Sequence, residues 1–291
     1  MEEIVDINLD DTGNPMAQKN DKIALVDADT IAFIACLSTE EEIMLLPESF
    51  YTKEEWQDII SDPTYDENTS MMYTIDLDQA LDKAKVKIQR ILDKTGCADV
   101  ELHFTGKKCF RYEVFTEYKS NRKGKRAPVG LTALKLMLCE EYDGYIHDDI
   151  EADDAVVYKR MTYPDKYILV AIDKDVINSI EGTHFNYYES LFHNKEMRWV
   201  TTDADTAKTW WAIQALTGDT SDGIIGVYRI GPKKAAKLIK PSMTEAEMWE
   251  VIKATYEAAG RTEEEALVNV RLVHMHQLTD KGIVLWTPEH S

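Results

Sequence analysis

Long apolar runs are absent from this 291-residue sequence. No stretch approaches the roughly 20 residues that a membrane-spanning helix needs, and Met1 to Asp21 is acidic and weakly apolar, unlike a secretion leader. A cytoplasmic location with no membrane partner is expected. Cysteine is scarce, and Cys36, Cys97, Cys109 and Cys139 form no C-x-x-C pair. That disfavours a zinc ribbon or a disulfide framework, and reduced thiols are expected. The histidines are scattered. His274 and His276, two apart on a predicted helix, diverge rather than converge on a metal. Internal repeats and low-complexity tracts are also missing.

Positive charge is in short supply, with 33 Lys and Arg against 53 Asp and Glu, a net charge of −20. Such an excess speaks against a protein that grips phosphates. Its distribution changes that conclusion. Residues 1–70 carry 18 acids and 3 bases, net −15, which leaves −5 for residues 71–291. Seven acids between Glu151 and Asp222 are candidate metal ligands, and without them the second part sums to +2. Within it, residues 107–126, with Lys107, Lys108, Arg111, Lys119, Arg122, Lys123, Lys125 and Arg126, are net +6. Residues 224–240, with Arg229, Lys233, Lys234, Lys237 and Lys240, are net +5. These two stretches suit a nucleic-acid partner.

The periodicity predicts alternating strands and helices. Lys22–Asp27 is a buried strand and Asp29–Leu37 a helix. Thr39 to Ser70 dissolves into acids and prolines, an insertion or flexible lid. Leu77–Lys94 is an amphipathic helix closed by Gly96, and Val100, Leu102 and Phe104 mark a strand. Helices follow over Pro128–Tyr142, Ile150–Met161 and Thr206–Thr217, with strands at Tyr145–His147 and Tyr167–Ile172. Beyond Asp222 the chain turns helical: Pro232–Ile239, a helix opened by a capping box from Ser242 to Glu245, and Glu263–Leu278. The expected fold class is α/β, a largely parallel central sheet flanked by helices with a helical region at its C-terminal side. Three parts are expected: an acidic tail over 1–21, an α/β core over 22–223 with an acidic insertion near 39–70, and a helical part over 224–291.

Asp27 and Asp173 each follow a predicted strand, where ligands collect in open α/β sheets. Glu151 and Asp154 share a face at a helix start, with Asp153 beside them. Asp173 and Asp175 flank a turn, and Asp219 and Asp222 lie in Gly218-Asp219-Thr220-Ser221-Asp222-Gly223. Each piece alone also fits a structural role: a solvated turn, a favourable charge at a helix N-terminus, or a helix stop. Together, so many converging carboxylates repel unless cations neutralise them, and an all-oxygen set suits Mg²⁺ or Mn²⁺. Two such ions about 4 Å apart serve phosphodiester hydrolysis.

Six ordered blocks resemble the bacteriophage 5′→3′ exonuclease and flap endonuclease family, which includes the 5′ nuclease domain of bacterial DNA polymerase I. They are Val26-Asp27-Ala28-Asp29, Glu117-Tyr118-Lys119-Ser120-Asn121-Arg122-Lys123, Glu151-Ala152-Asp153-Asp154, Asp173-Lys174-Asp175, Gly218 to Asp222, and Gly226-Val227-Tyr228-Arg229-Ile230-Gly231-Pro232-Lys233-Lys234-Ala235. The last looks like a helix-hairpin-helix. The resemblance covers roughly residues 22–240 and implies a PIN-like 5′ nuclease fold. It also implies two divalent cations, Mg²⁺ or Mn²⁺, and a DNA substrate with a 5′ end or flap, often with RNA in RNA–DNA hybrids. If the gene is phage-borne, the location is the host cytoplasm. No protein partner is implied.

The family pattern carries over onto Asp27, Glu151, Asp153, Asp154, Asp173, Asp175, Asp219 and Asp222 as direct or water-mediated ligands, with Asp29 a weaker candidate. It implies a helical arch near 107–126, with Lys119 and Arg122 at the scissile phosphate. Lys123, Lys125 and Arg126 track phosphates there, and Tyr118 stacks on a base. Gly226 and Gly231 open backbone amides to a phosphate, joined by Lys233, Lys234 and Lys237. One departure stands out: many members carry an aspartate after the second strand, where this chain has Gly106 or, in a shifted match, Thr105. The missing acid motivates one alternative, a junction-binding protein that has lost cleavage; the acidic sheet-end site motivates another, a PIN-type ribonuclease, which generally lacks the hairpin.

Overall fold

A computed structural model describes residues 17–67, 69–190 and 193–288. Most of the expected acidic tail therefore lies outside the described residues. In chain order the elements are β1 (Ile23–Asp27), α1 (Asp29–Leu37), β2 (Glu40–Met44), α2 (Lys53–Ser61), β3 (Tyr65–Asp66), β4 (Met71–Ile75), α3 (Leu77–Thr95) and β5 (Asp99–Thr105). Next come α4 (Arg111–Val114), α5 (Leu131–Glu141), β6 (Asp143–His147), α6 (Ala152–Thr162), β7 (Tyr167–Val170), α7 (Lys174–Asn178), β8 (Gly182–Asn186) and β9 (Arg198–Thr202). The chain continues with α8 (Ala204–Thr217), β10 (Gly218–Asp219), β11 (Ile224–Ile225), α9 (Pro232–Leu238), α10 (Glu245–Ala258), α11 (Glu263–Val273), β12 (Leu278–Thr279) and β13 (Gly282–Ile283).

Six strands form the central sheet in the order β6-β5-β1-β7-β8-β9, parallel except for β9, which runs antiparallel to β8. β1 sits inside it because its apolar run serves both faces. Ala24 and Val26 enter one core with α1, α3 and α5, and Leu25 enters another with α6 and α7. Each such fully buried Val or Leu contributes about 1.5–3 kcal/mol. α3 is set by Asp76, which accepts from the Gln79 amide, and ends at Gly96 with φ +70°. A side chain at Gly96 would meet the Gln18 carbonyl at 2.2 Å, so only glycine fits. A separate helical core joins α8, α9, α10 and α11 around Trp211, Trp249 and Trp286. Among the described residues no helix is long and apolar enough to cross a membrane.

Several expectations are corrected. The acidic insertion is not a formless lid but a three-stranded antiparallel sheet, β2-β4-β3, with α2 alongside. β8 and β9 escaped notice because Thr183, His184 and Asn186, and Arg198, Thr201 and Thr202, break their apolar pattern. The capping box of α10 is Thr244 with Glu247, two residues later than expected. α11 stops at Val273, so His274 and His276 lie beyond it, with their rings edge to face at 5.5 Å. The expected arch is mostly irregular chain, with helix only in α4 and a single 3₁₀ turn over Ser120–Arg122.

Candidate active site

The carboxyl ends of β1, β5, β6 and β7 share one rim because the strands are parallel. Asp27 ends β1, Asp173 caps α7 just after β7, and Asp153 opens α6. These three have no ion pair with Lys or Arg within 4.0 Å among the described residues. Asp27 is 8% exposed and is hydrogen-bonded to Asp153. Burial, then the charges of Asp29 and Asp173, push its carboxyl up to about 7. Burial and the charges of Asp27, Asp173 and Glu151 raise Asp153 as well. With acids concentrated here and no counter-ion, the charged forms of Asp27 and Asp153 are disfavoured.

The other five acids have cationic partners. Asp175 and Asp219 share Lys174, whose ammonium lies 3.7 and 3.6 Å from them. Asp175 Oδ1 is buried with no hydrogen-bond partner, and burial with the Asp173 charge raises this carboxyl to about 7. For Asp219 burial is outweighed by hydrogen bonds from Ser221 and Asp175, which hold it low. Glu151, 6% exposed, contacts the Lys119 ammonium and lies 3.4 Å from Arg111. These charges keep Glu151 ionised despite its burial. Asp222 takes Arg122 at 2.7 Å. Asp154 stands apart: Arg111 meets both its oxygens at 2.6 and 2.7 Å, and Oδ2 also accepts from the Glu151 amide. Its oxygens are spent on positioning the α6 N-terminus, so a ligand role for Asp154 is withdrawn.

The basic segment is stitched to the 218–223 loop rather than spanning open space. The Lys119 amide donates to the Asp222 carbonyl, and Asn121 Nδ2 donates to the carbonyls of Thr220 and Ser221. Tyr118 is 2% exposed, and its hydroxyl lies 2.9 Å from both Glu151 Oε2 and Asp222 Oδ2. Base stacking by Tyr118 is therefore corrected to a buried link between two carboxylates. Arg126 is also redirected: it pairs with Glu40, its guanidinium lies 3.5 Å from the Tyr73 ring centre, and it clamps the insertion to the core. Lys123 and Lys125 stay exposed. A cleft of about 440 Å³ opens between this segment and α1, lined by Asp29, Phe33, Gly106, Tyr112, Lys119 and Lys135 among others. Asp29 is held there by the Thr105 amide and by Lys135 at 2.5 Å, as a brace for β5.

In the hairpin after Asp222 the two glycines differ from expectation. A side chain on Gly226 would collide with the Thr217 carbonyl at 2.3 Å, so this glycine permits backbone packing. Gly231 caps α9 with extended backbone and open surroundings, and Arg229 carries the left-handed turn at φ +62°. Lys233, Lys234 and Lys237 are exposed. Gly106 is likewise a packing position. Its amide donates to the His147 carbonyl at 2.7 Å, and a side chain would meet that oxygen at 2.5 Å and Asp148 Oδ1 at 2.6 Å. Sequence reading missed Asn121 and Lys135 and placed Arg111 with the phosphate contacts, because their partners lie far along the chain, and it missed Lys174, which joins Asp175 beside it to the distant Asp219. It also missed Tyr187, whose hydroxyl donates to the Asp27 carbonyl at 2.7 Å.

Divalent cations fit this donor set. Asp27 and Asp153 stand together with their charged forms disfavoured, Asp175 Oδ1 is buried without a hydrogen-bond partner, and every donor is a carboxylate oxygen, which is the chemistry a hard divalent cation takes. Among the described residues no group of three or more His, Cys, Asp or Glu side chains is arranged to hold an ion as it stands. The reason is visible in the contacts, since the acids bond to one another or to Lys174, Lys119 and Arg122.

A parallel sheet with carboxylates at one rim and a cationic segment over them defines a protein of the PIN-like 5′ nuclease fold. The chain is similar in sequence to 5′→3′ exonucleases and flap endonucleases. It is 26% identical over 237 residues to the exodeoxyribonuclease of Enterobacteria phage T3, covering 66% of this chain and 74% of that one. It is 24% identical to the exonuclease of Escherichia phage T7, over the same shares. Against the flap endonuclease Xni of Shewanella baltica it is 27% identical, over 45% of this chain and 52% of that one. Its fold matches the T5 D15 protein co-crystallised with metal ions, with a TM-score of 0.54 at 18% identity, covering 67% of this chain and 83% of that one. A T5 D15 flap endonuclease complex with DNA and metal ions matches at 0.52. No family model matches the chain.

Proposed function

We propose that the chain is a divalent-metal-dependent 5′ nuclease that hydrolyses DNA phosphodiesters at a 5′ end or flap junction. The observation that carries this is the trio Asp27, Asp153 and Asp173, three carboxyls at one rim with no ion-pair partner among the described residues, beside a cleft edged by Lys119 and Arg122. Asp27, Asp153 and Asp173 would hold one cation, and Asp173, Asp175 and Asp219 a second, as Mg²⁺ or Mn²⁺. Bound there, the cations supply activation of a water and stabilisation of the leaving oxygen.

The chain's own groups do the rest. Lys119 and Arg122 neutralise Glu151 and Asp222 and turn their remaining donors to a phosphate at the cleft. Tyr118 fixes the two carboxylates relative to each other. Lys123 and Lys125 meet the phosphates of the strand in the cleft, and Lys233, Lys234 and Lys237 meet those of the duplex. RNA in RNA–DNA hybrids belongs to the same substrate class. The binding-only alternative rested on Gly106, and the crowding there speaks for a packing requirement rather than a lost acid.

The test is cleavage of 5′-labelled flap and duplex DNA with Mg²⁺ or Mn²⁺, with products mapped. Cleavage dependent on the cation and abolished in Asp173→Asn supports the proposal. Absence of turnover in both cations sinks it, and faster cleavage of structured RNA than of DNA would favour a ribonuclease instead.

A further inference from the structure

On the far side of the acidic rim from Lys119 and Arg122, two adjoining hollows form one groove. The first, about 310 Å³, is lined by Ile172, Lys174, Asn186, Tyr188, Lys195, Glu196 and Arg198. The second, about 580 Å³, shares Lys195 and Glu196 and adds Arg90 and Lys94. Five cations face two acids, Glu189 and Glu196, along it, in a protein of net charge −20. Glu189 is already neutralised by Lys87 and Arg90, at 2.6 and 2.8 Å. Lys94, Lys195 and Arg198 make no ion pair among the described residues.

The groove is built rather than incidental. Ser190 and Lys195 exchange backbone hydrogen bonds at 2.9 and 3.0 Å, which fixes the approach to β9. Asn186 Oδ1 accepts from the Tyr188 amide, and the Lys195 ammonium lies 5.5 Å from the Tyr188 ring centre. A half-buried tyrosine among free cations is the pairing that tracks a single strand, with phosphates on the cations and a base on the ring. The groove starts at Lys174, which touches Asp175 and Asp219. In the sheet order the cleft lies toward β5 and the groove toward β8 and β9, with Asp27 and Asp173 between them.

We propose that this groove is a second nucleic-acid track, taking the phosphates of the single strand that runs beyond the acidic rim, with Lys195 and Arg198 as its main contacts and Tyr188 as a stacking platform. The inference rests on the nuclease proposal for the identity of the strand, but its test does not need cleavage. Binding of a labelled mixed-sequence single strand of about 30 nucleotides is titrated in EDTA across salt concentrations. The proteins are wild type, Lys195→Glu/Arg198→Glu, and the charge-matched control Lys53→Glu/Lys281→Glu, all checked for folding by thermal melting.

Two lost phosphate contacts flatten the slope of log affinity against log salt by about 1.4, and affinity at low salt falls about 10-fold in the groove variant alone. An unchanged slope, or an equal loss in the control, overturns the groove. Tyr188→Leu tests the platform: weaker binding with the salt slope retained is expected, and wild-type affinity removes Tyr188 from the track. Cleavage of flap DNA in Mg²⁺ is measured in parallel. If wild type binds through the groove but never cleaves, the nuclease proposal fails while the groove stands.

Discussion

Arg111 and Asp154 form a two-pronged ion pair sealed from solvent, with Arg111 fully buried and Asp154 1% exposed. Arg111 also donates to the Leu272 carbonyl at 2.9 Å, so the pair ties the start of α6 to the end of α11. Removing one partner leaves an uncompensated buried charge, which costs about 3–5 kcal/mol. Asp154→Asn and Arg111→Met should each lose that much in urea unfolding. The double change Arg111→Met/Asp154→Leu should recover a good part of it. A neutral Asp154→Asn would return Asp154 to the ligand set.

Gly106 separates the active nuclease from the cleavage-deficient alternative. On that alternative, supplying an acid there restores activity. In the fold, a side chain meets the His147 carbonyl at 2.5 Å, and that carbonyl is held by the Gly106 amide itself. Gly106→Asp should destabilise by about 1–3 kcal/mol through overpacking and leave cleavage no faster. Gly231→Ala, with open space around it, should stay close to wild type. Thermal melts and flap-cleavage rates of both variants decide the matter.

What the sequence disclosed and what it hid divide along physical lines. Asp27 was legible because an apolar run must be buried on both faces, and the polar residue that ends it must sit at the rim. Asp29–Leu37 was legible to the residue from its apolar spacing. Tyr118 was not. Its lysine and arginine neighbours suggested solvent, whereas Trp211, Ala212 and Ile224, a hundred residues on, form the core that buries it. Arg126 looked like a phosphate contact because its acid, Glu40, lies 86 residues away. The fate of a charged side chain depends on such distant partners, and a single sequence carries no record of them.

Acid sensitivity should come partly from His274. Buried among Trp211, Trp286 and His276, its ring is held neutral, pushed down to about 3 by burial first and then by the charges of His276 and Arg111. The unfolded chain takes up that proton near pH 6.5, and the folded one does not until far lower. The folded pKa is depressed, so the unfolded state binds more protons between these limits, and stability falls as pH drops from about 6.5 towards 3. One such group contributes up to about 1.4 kcal/mol per pH unit. Urea midpoints at pH 7 and pH 5 should differ less in His274→Gln than in wild type. An identical difference in the two proteins would remove His274 as a cause.

Thermal stability with and without a cation separates metal ligands from structural acids without measuring catalysis. In the cation-free protein burial and then the charges of Asp27, Asp173 and Glu151 raise the Asp153 carboxyl, so Asp153 is a source of repulsion at neutral pH. Asp153→Asn should therefore melt higher than wild type in EDTA. A cation that binds only the folded chain stabilises it by about 2.7 kcal/mol at 100 times its dissociation constant. Wild type should gain thermal stability on adding Mg²⁺ or Mn²⁺, and Asp153→Asn should lose most of that gain. Lys119→Met should keep it, because Lys119 neutralises Glu151 rather than holding a cation. If Asp153→Asn melts lower than wild type in EDTA yet gains as much from Mg²⁺, Asp153 is a structural acid and the first cation has other ligands.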